Sequence, residues 1–278
     1  MKKIYLLFII FTFHFSLSAL SFAYERIVSL APSVTRSLYE LGAESKVVGI
    51  TIFCPSGTTK KESIGTLLEP NLEKIILLKP DLIIATKEGN NKAAVEKLIR
   101  WGFPVYVMET SDSFDEICAN YLWLGEKIGK KNKALFNIEN ARNKISLIRE
   151  HAIKYPQQKV FWEVGALPLY GAGGKSFVND YNYYTNTVNV LKDINQRYPQ
   201  IGIESVLIKN PDIIILVNMG DISGEELAYW QKYTFVSAVK NSKIFMIDVN
   251  DIFTPTPLTF ARGVEMLALK IYGDFFEK

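Results

Sequence analysis

Few residues of this sequence have side chains that could perform catalysis or bind a metal ion. The 278 residues include two histidines, His14 and His151, and two cysteines, Cys54 and Cys118. Zinc sites in proteins usually combine three or four histidine, cysteine or carboxylate ligands. One histidine in the body of the chain and two separated cysteines therefore predict no protein-built metal site, and we expect no resident cofactor. Outside the cytoplasm the two cysteines could form a disulfide, and the sequence leaves that pairing open.

Two serines in predicted turns, Ser33 and Ser176, are candidate nucleophiles, with His151 as the base available to them. Neither serine lies in the G-x-S-x-G elbow that exposes the nucleophile of many hydrolases. We therefore predict that the protein is not an enzyme. An exported hydrolase that uses a turn serine is the alternative from the enzyme class.

A glycine-rich segment, Gly171-Ala-Gly-Gly-Lys-Ser176, ends like a phosphate-binding loop. Leu169 stands where that loop requires its first glycine, and no G-x-G-x-x-G follows a predicted strand. The segment is therefore interpreted as a turn at the edge of a cleft rather than as a nucleotide site.

The N-terminus has the features of an export signal. Met1-Lys2-Lys3 is basic, the run from Ile4 to Phe15 is apolar, and Ser21-Phe22-Ala23 has small residues where signal peptidase cuts. The apolar run is shorter than the ~20 residues that cross a bilayer. The pattern predicts a signal peptide at residues 1–23, cleaved after Ala23, and a periplasmic or otherwise extracytoplasmic product.

Charge and length restrict the class of the mature chain. Loss of Lys2 and Lys3 lowers the formal net charge from +3 to about +1, which is too neutral for a nucleic-acid-binding protein. We therefore predict no nucleic-acid partner and expect a monomer. About 255 residues remain, enough for two modest domains, and a hydrophobic content of 48% supports a substantial core.

Predicted strands and helices alternate in two stretches of the chain. In the first stretch, strands are predicted within 26–33 and at 46–52, 82–85 and 105–108, with helices at 34–41, 72–78 and 93–101 between them. Ser33 is the predicted N-cap of the first helix. Strands at 159–164, 212–217 and 243–247 resume the alternation, and the proline-free stretch 114–155 between the two predicts a long helix. Two α/β units joined by helical structure follow from this order.

An internal repeat supports the division into two units. Glu73-Lys-Ile-Ile-Leu-Leu-Lys-Pro-Asp81 and Glu204-Ser-Val-Leu-Ile-Lys-Asn-Pro-Asp212 both place a glutamate seven residues before Pro-Asp, and an apolar strand follows each. Proline ends a helix, and aspartate is favoured in the turn before a strand. The matching register predicts equivalent helix–turn–strand elements in the two halves.

Three segments in order carry a resemblance to a known family: Arg26-Ile-Val-Ser-Leu-Ala-Pro-Ser33, the stretch from Gly65-Thr through Pro70-Asn-Leu-Glu-Lys-Ile to Leu-Lys-Pro-Asp-Leu82, and Tyr198-Pro-Gln with Glu204 and Asn-Pro-Asp212. The chain resembles the helical-backbone (class III) periplasmic solute-binding proteins of ABC importers, over essentially its whole mature length. That resemblance implies an α/β fold of two Rossmann-like lobes, 24–125 and 157–278, joined by a single long helix within 126–156.

The resemblance also implies a function. Members of the family capture a cobalamin-like or iron-complex ligand between the lobes and deliver it to the permease subunits of the importer. Cobalamin, a ferric siderophore and haem all remain open as the ligand. A sensor or adhesion module without transport is the alternative from the class of interaction proteins.

By position in the family, two glutamates of this chain, Glu73 and Glu204, match the residues that dock to the permease. The ligand-binding residues implied in the same way are Phe53, Leu67, Thr86, Lys87, Tyr170, Tyr198, Asp251 and Phe253. The B12 carriers of the family have tryptophans where this chain has Leu67 and Thr86, so the pocket chemistry implied here differs from theirs.

Overall fold

The computed structural model describes residues 24–218 and 225–273, so the predicted signal peptide lies outside the described residues. Two separate five-stranded sheets, each flanked by helices, form two lobes. The predicted α/β fold with two lobes is therefore confirmed. None of the helices in the described ranges is both long and apolar enough to cross a membrane.

The sheet of the N-terminal lobe is parallel throughout, with the strand order β3-β2-β1-β4-β5. Helices cover both faces, which is why the apolar run of β4 is buried along its first four residues. Ile27, Leu82 and Ile84 face one layer of the core, and Val28 and Ile83 face the other. The elements are β1 (Ile27–Ser29), α1 (Pro32–Glu40), β2 (Val47–Ile50), β3 (Glu62–Ser63), α2 (Leu72–Leu77), β4 (Leu82–Thr86), α3 (Lys92–Arg100) and β5 (Val105–Met108).

The predicted start of α1, at residue 34, was two residues too late. The helix begins at Pro32, and its N-cap is Ala31, whose side chain caps nothing. Proline suits the first helical position because its fixed φ is helical and its missing N–H would have no partner there. Ser33 is therefore inside the helix rather than at its cap.

The connector between the lobes is a hairpin of two helices, α4 (Phe114–Lys127) and α5 (Lys131–Ala152). The break between them is at Gly129, where φ is +72°, so one unbroken helix does not fill the predicted stretch. α5 is the long helix of the molecule, with 22 residues. It lies inside the predicted connector 126–156, whose exact bounds as a domain stay a prediction.

Each helix of the hairpin packs against the cores of both lobes. In α4, Phe114 and Ile117 belong to the core of the C-terminal lobe, and Leu124 belongs to that of the N-terminal lobe. α5 returns in the opposite direction, with Ala134 in the N-terminal core and Ile148 in the C-terminal core. The lobes are thus joined by two packed helices rather than by a flexible crossover.

In the C-terminal lobe, β6 occupies the centre of the sheet. β9 and β10 extend the sheet in parallel on one side, while β8 and the antiparallel β7 pair with different halves of β6 on the other. The elements are β6 (Gln158–Gly165), β7 (Tyr170–Gly171), α6 (Val178–Tyr184), β8 (Thr187–Asn189), α7 (Ile203–Lys209), β9 (Ile213–Asn218), α8 (Glu225–Gln231), α9 (Ser237–Lys240), β10 (Ile244–Asp248), α10 (Val249–Ile252) and α11 (Pro257–Tyr272).

The internal repeat of the sequence is present in the structure as matching hydrogen bonds. Asp81, just before β4, accepts the backbone N–H of Arg26 at 2.9 Å, and Asp212, just before β9, accepts the backbone N–H of Lys159 at 2.9 Å. The side chains of Arg26 and Lys159 in turn donate to backbone carbonyls at the ends of α2 and α7. Both repeat units therefore tie a helix end to the central strand of their own sheet in the same way.

The backbone of the two repeat units also matches. Lys79 and Asn210, the residues directly before the two prolines, have left-handed φ angles of 46° and 44°. α2 and α7 therefore end in the same conformation, and their first turns carry Glu73 and Glu204 at equivalent positions.

The lobes and the connector meet at four polar residues, which we name the lobe junction: Glu40, Tyr121, Asn137 and Thr256. Glu40, the last residue of α1, accepts a hydrogen bond of 3.0 Å from the hydroxyl of Thr256, which also caps α11. Asn137 of α5 donates its side-chain amide to the hydroxyl of Tyr121 of α4 at 2.7 Å and to the backbone carbonyl of Glu40 at 3.5 Å. Burial raises the pKa of the Glu40 carboxyl.

A second buried carboxyl, Glu163 of β6, holds α8 to the sheet. Its Oε2 accepts the indole N–H of Trp230 at 2.6 Å, and both side chains are buried. Burial is the main cause that raises the pKa of Glu163 from 4.5 to about 7, and the hydrogen bond from Trp230 opposes the shift.

This shift predicts that the protein loses stability as the pH rises. The folded state binds the Glu163 proton more tightly than the unfolded chain does. The resulting contribution to the free energy of unfolding is therefore complete below pH 4.5 and is lost as the pH rises to about 7. In urea unfolding at pH 5 and pH 8, we expect Glu163→Gln, which keeps an acceptor for Trp230, to lose less free energy of unfolding than the parent protein. The exposed control Glu139→Gln should follow the parent, and parallel losses in all three proteins would contradict the prediction.

Candidate functional site

A cleft of about 340 Å³ lies between the two lobes. One wall is formed by the segments that follow β1, β4 and β5, at the carboxyl ends of the strands of the N-terminal lobe. The opposite wall comes from the C-terminal lobe, and α4 contributes the floor with Ile117, Asn120 and Tyr121. The volume and the position at a domain interface are typical of small-molecule sites, which range over roughly 300–1,000 Å³.

The N-terminal wall carries most of the polar side chains of the cleft, beside apolar ones such as Leu67 and Met108. The polar lining residues of this wall include Ser33, Thr86, Glu88, Glu109, Thr110 and Ser111. Asn90 fixes the turn after β4, because its side chain accepts the backbone N–H of Thr86 at 2.8 Å and donates to the carbonyl of Leu30 at 2.8 Å. This wall can offer hydrogen bonds to a ligand with polar edges.

The C-terminal wall is aromatic. Phe253 lies between Phe177 and Tyr198, with ring-centroid distances of 5.6 Å and 6.0 Å, and all three rings line the cleft. Aromatic faces cover a large planar ligand with little loss of conformational entropy. The two walls therefore differ in chemistry, one hydroxylated and acidic and the other apolar.

The glycine-rich segment supports this aromatic wall. The N–H groups of Gly173 and Gly174 donate to the carbonyls of Arg197 and Ile194, both at 2.8 Å. A Cβ at either position would collide with a backbone carbonyl of the 192–196 turn, which explains the pair of glycines. These N–H groups are used within the protein, and the segment acts as the cleft-edge turn that the sequence predicted.

Two ion pairs of one arginine join the two lobes at the cleft. The guanidinium of Arg197, from the C-terminal lobe, contacts the carboxylates of Glu88 and Asp112, which belong to the opposite side. The Arg197 side chain is 17% exposed, whereas those of Glu88 and Asp112 are 59% and 45% exposed. We name these three residues the Arg197 clamp, because they link both lobes beside the cleft.

The cleft brings together half of the ligand-binding residues expected from the sequence. Leu67, Thr86, Tyr198 and Phe253 line it. Each lies in the segment after a strand or at the edge of one wall, as expected for the carboxyl end of a parallel sheet.

The other four expected residues lie elsewhere. Phe53 is 60% exposed in the turn after β2, and Tyr170 packs against the core of the C-terminal lobe. Lys87 is paired with Glu109 at 2.7 Å and borders the cleft without lining it. Asp251 lines a smaller cavity of about 150 Å³, together with Arg36 and Arg262 from the two lobes. None of these four faces the ligand space in this conformation, and their roles stay predictions.

The cleft also contains residues that were not found from the sequence, among them Glu88, Phe177 and Arg197. Phe177 directly follows the glycine-rich turn, and Arg197 precedes Tyr198, so the neighbouring residues were informative. The pairing of Arg197 with Glu88 could not be predicted, because 108 residues lie between them in the sequence and no local motif marks either residue as half of an ion pair.

The residues of the hydrolase alternative are not assembled into a catalytic group. Ser33 lines the cleft, Ser176 is buried behind its wall, and His151 lies in the last turn of α5 and outside the cleft wall. Cys54 and Cys118 are both free thiols, so the disulfide that the sequence allowed is not formed between them. Among residues 24–218 and 225–273, no group of three or more histidine, cysteine or acidic side chains could hold a metal ion.

Two α/β lobes, a rigid helical connector and a cleft with opposed walls define a solute-binding protein. The sequence profile described as "Periplasmic binding protein" matches residues 27–250, and the chain belongs to that family. It is accordingly an extracytoplasmic protein of the binding class, and its relatives include an ABC transporter substrate-binding lipoprotein of Bacillus subtilis that is 29% identical over 91% of this chain and 82% of its own length.

Individual relatives agree with this assignment. The vitamin B12-binding protein of Vibrio vulnificus is 28% identical over 88% of this chain and 89% of its own length. A solved structure of a possible iron-binding periplasmic protein from Staphylococcus epidermidis has a TM-score of 0.79 at 27% identity and covers 90% of this chain and 99% of its own. The periplasmic vitamin B12-binding protein of Vibrio cholerae gives a TM-score of 0.75 at 27% identity, covering 90% and 97%.

The Arg197 clamp should restrain the two turns that it joins. We expect Arg197→Met to accelerate backbone hydrogen exchange in segments 86–89 and 109–113, because Glu88 and Asp112 lose their shared cation and repel each other. Exchange followed by mass spectrometry measures this directly. Lys192→Met, at an exposed position of the same C-terminal turn, is the matched control, and equal exchange in all variants would contradict a restraining role.

Proposed function

We propose that this protein captures a cobalamin-like or iron-complex ligand in the interlobe cleft and delivers it to the permease of an ABC importer. The observation that carries the proposal is the cleft itself, with a hydroxyl-rich wall facing an aromatic wall across two lobes. In this proposal the lobes correspond to 24–125 and 157–278, and the signal peptide is removed after Ala23. Relatives named for vitamin B12 and for iron support the ligand class.

The charge of the cleft favours a neutral or cationic ligand. In the described part of the chain, three carboxylates border the cleft, those of Glu88, Glu109 and Asp112, and two cations neutralise them in part, Arg197 and Lys87. An anionic ligand would have to displace these carboxylates from the cations or accept their repulsion. A neutral corrinoid or a neutral ferric hydroxamate meets no such opposition.

The aromatic hydroxyls of the cleft also argue against haem. A haem iron is usually held by a histidine, cysteine, methionine or tyrosinate ligand. Burial raises the pKa of Tyr198, which disfavours the tyrosinate form. Burial likewise raises the pKa of Tyr121 on the cleft floor.

The size of the ligand gives the Arg197 clamp a role. A corrinoid with its nucleotide is a large ligand, and we expect its entry to separate the lobes where the Arg197 clamp joins them beside the cleft. Ligand binding then competes with the two ion pairs of the clamp.

Docking to the permease is assigned to Glu73 and Glu204. Both are exposed in the first turns of equivalent helices, one on each lobe. Exposed carboxylates at matching positions can form charge-assisted hydrogen bonds with arginines of a partner that has two equivalent sites. The simpler alternative is that each glutamate only stabilises its own helix through the helix dipole, and a transport assay distinguishes this role from docking.

Replacing both docking glutamates should abolish transport and spare ligand binding. We expect Glu73→Ala/Glu204→Ala to bind ligand with unchanged affinity, since both residues lie outside the cleft, and to lose uptake of labelled cyanocobalamin in cells that depend on this protein. Unchanged uptake would refute docking. Glu69→Ala/Glu225→Ala, which removes two other exposed carboxylates, controls for charge alone.

Ligand charge should govern affinity. By tryptophan fluorescence titration, we expect cyanocobalamin or a neutral ferric trihydroxamate to bind more tightly than haemin or a ferric catecholate, because the last two are anionic. Glu88→Gln/Asp112→Asn should raise haemin affinity by about tenfold, ~1.4 kcal/mol, by leaving Arg197 unopposed, with little effect on the neutral ligands. Tighter binding of haemin by the parent protein would overturn the preference for neutral ligands.

A further inference from the structure

The docking helices carry a second matched feature, an exposed aliphatic side chain one turn after each glutamate. Leu77 follows Glu73 by four residues in α2, and Ile208 follows Glu204 by four residues in α7. Residues four apart share one helix face. Leu77 is 79% exposed and Ile208 is 83% exposed. Each lobe therefore presents an acid and an aliphatic side chain side by side.

Their exposure is unusual within this molecule. Among the large hydrophobic side chains in the described ranges, only Leu77, Leu167 and Ile208 are more than 70% exposed. Two of these three occupy equivalent positions of the internal repeat. The opposite faces of the same helices pack into the core as usual: Ile75 and Val206, which also occupy equivalent positions, are both 0% exposed. Isolated exposed leucines are common on protein surfaces, but a matched pair on repeated elements is not explained by chance exposure.

We propose that Leu77 and Ile208 are apolar contacts that insert into two equivalent sockets of the permease, each beside a basic residue that pairs with the neighbouring glutamate. This inference rests on the proposed docking function. Because the two lobes offer the same acid–aliphatic pair, the partner they fit has the same socket twice, as a symmetric dimer of membrane subunits does. The sockets combine an apolar pocket with a cation about one helical turn away.

The glutamates and the aliphatic side chains should contribute to different steps of docking, because they differ in charge and in the area they bury. The glutamates, exposed and charged, attract a basic surface and orient the encounter. The aliphatic side chains lose nearly all of their exposed area in a socket, and burial of a leucine or isoleucine is the larger source of affinity. Removing the aliphatic side chains should therefore speed dissociation, whereas removing the glutamates should also slow association.

The test measures binding of the ligand-free protein to its own permease–ATPase complex in lipid nanodiscs, by biolayer interferometry. We expect Leu77→Ser and Ile208→Ser each to weaken binding by about tenfold, and the double variant by about a hundredfold, mainly through faster dissociation. Leu147→Ser, which removes a 57% exposed leucine of α5, is the matched control and should bind normally. Thermal unfolding checks that all variants fold, and Leu77→Gln/Ile208→Gln replaces any serine variant that does not.

The outcomes separate this inference from the proposed function. Normal binding of the Leu77/Ile208 double variant, with loss of binding by Glu73→Ala/Glu204→Ala, overturns the aliphatic contacts and leaves the glutamate docking intact. Normal binding by both double variants overturns both assignments, and failure of the parent protein to bind any permease complex overturns the transport function. If light scattering finds the parent dimeric and the Leu77/Ile208 variant monomeric, the aliphatic pair is a self-association surface and the proposal fails.

Discussion

The position of the aromatic wall depends on one largely buried residue, Glu40. Glu40 ends α1 of the N-terminal lobe, yet its carboxylate accepts the hydroxyl that caps α11 of the C-terminal lobe, and its backbone carbonyl accepts the side-chain amide of Asn137 of the connector. A buried carboxyl is costly to desolvate, and it is tolerated only where its partners are held in place. The lobe junction therefore fixes where α11 begins, and Phe253, which closes the aromatic wall, lies three residues before Thr256.

Features encoded locally could be predicted from the sequence, and features made by tertiary contacts could not. The two α/β units and the repeat follow from hydrophobic periodicity and from the Pro-Asp turns, which are local in the sequence, and Glu73 and Glu204 were identified by the family resemblance. The cleft was predictable where it is built by segments after strands, as at Thr86, and not where distant segments meet, as at Arg197 and Glu88. The break at Gly129 was missed because a helix pair and one long helix have the same composition.

Rigidity and opening have separate locations in this fold. The helical hairpin packs into both cores, so the lobes cannot rotate freely about it, and the lobe junction adds polar contacts at the base of the cleft. The Arg197 clamp is far more exposed to solvent than the junction, and exposed ion pairs contribute at most about 1 kcal/mol each. Breaking the clamp should therefore require less free energy than breaking the lobe junction. A ligand can separate the lobes at the clamp while the contacts of the lobe junction stay in place.

The two halves are alike at the helices proposed to dock to the permease and different where they line the cleft. The glutamate, the aliphatic residue and the Pro-Asp turn recur at equivalent positions, which would suit a partner with two equal sites. In the cleft, the same scaffold gives hydroxyls and carboxylates on one lobe and Phe177, Tyr198 and Phe253 on the other. A corrinoid or metal chelate has a polar rim and an apolar face, so unlike walls would hold it in one orientation, whereas the repeat is kept at the helix–turn–strand elements that tie each sheet together.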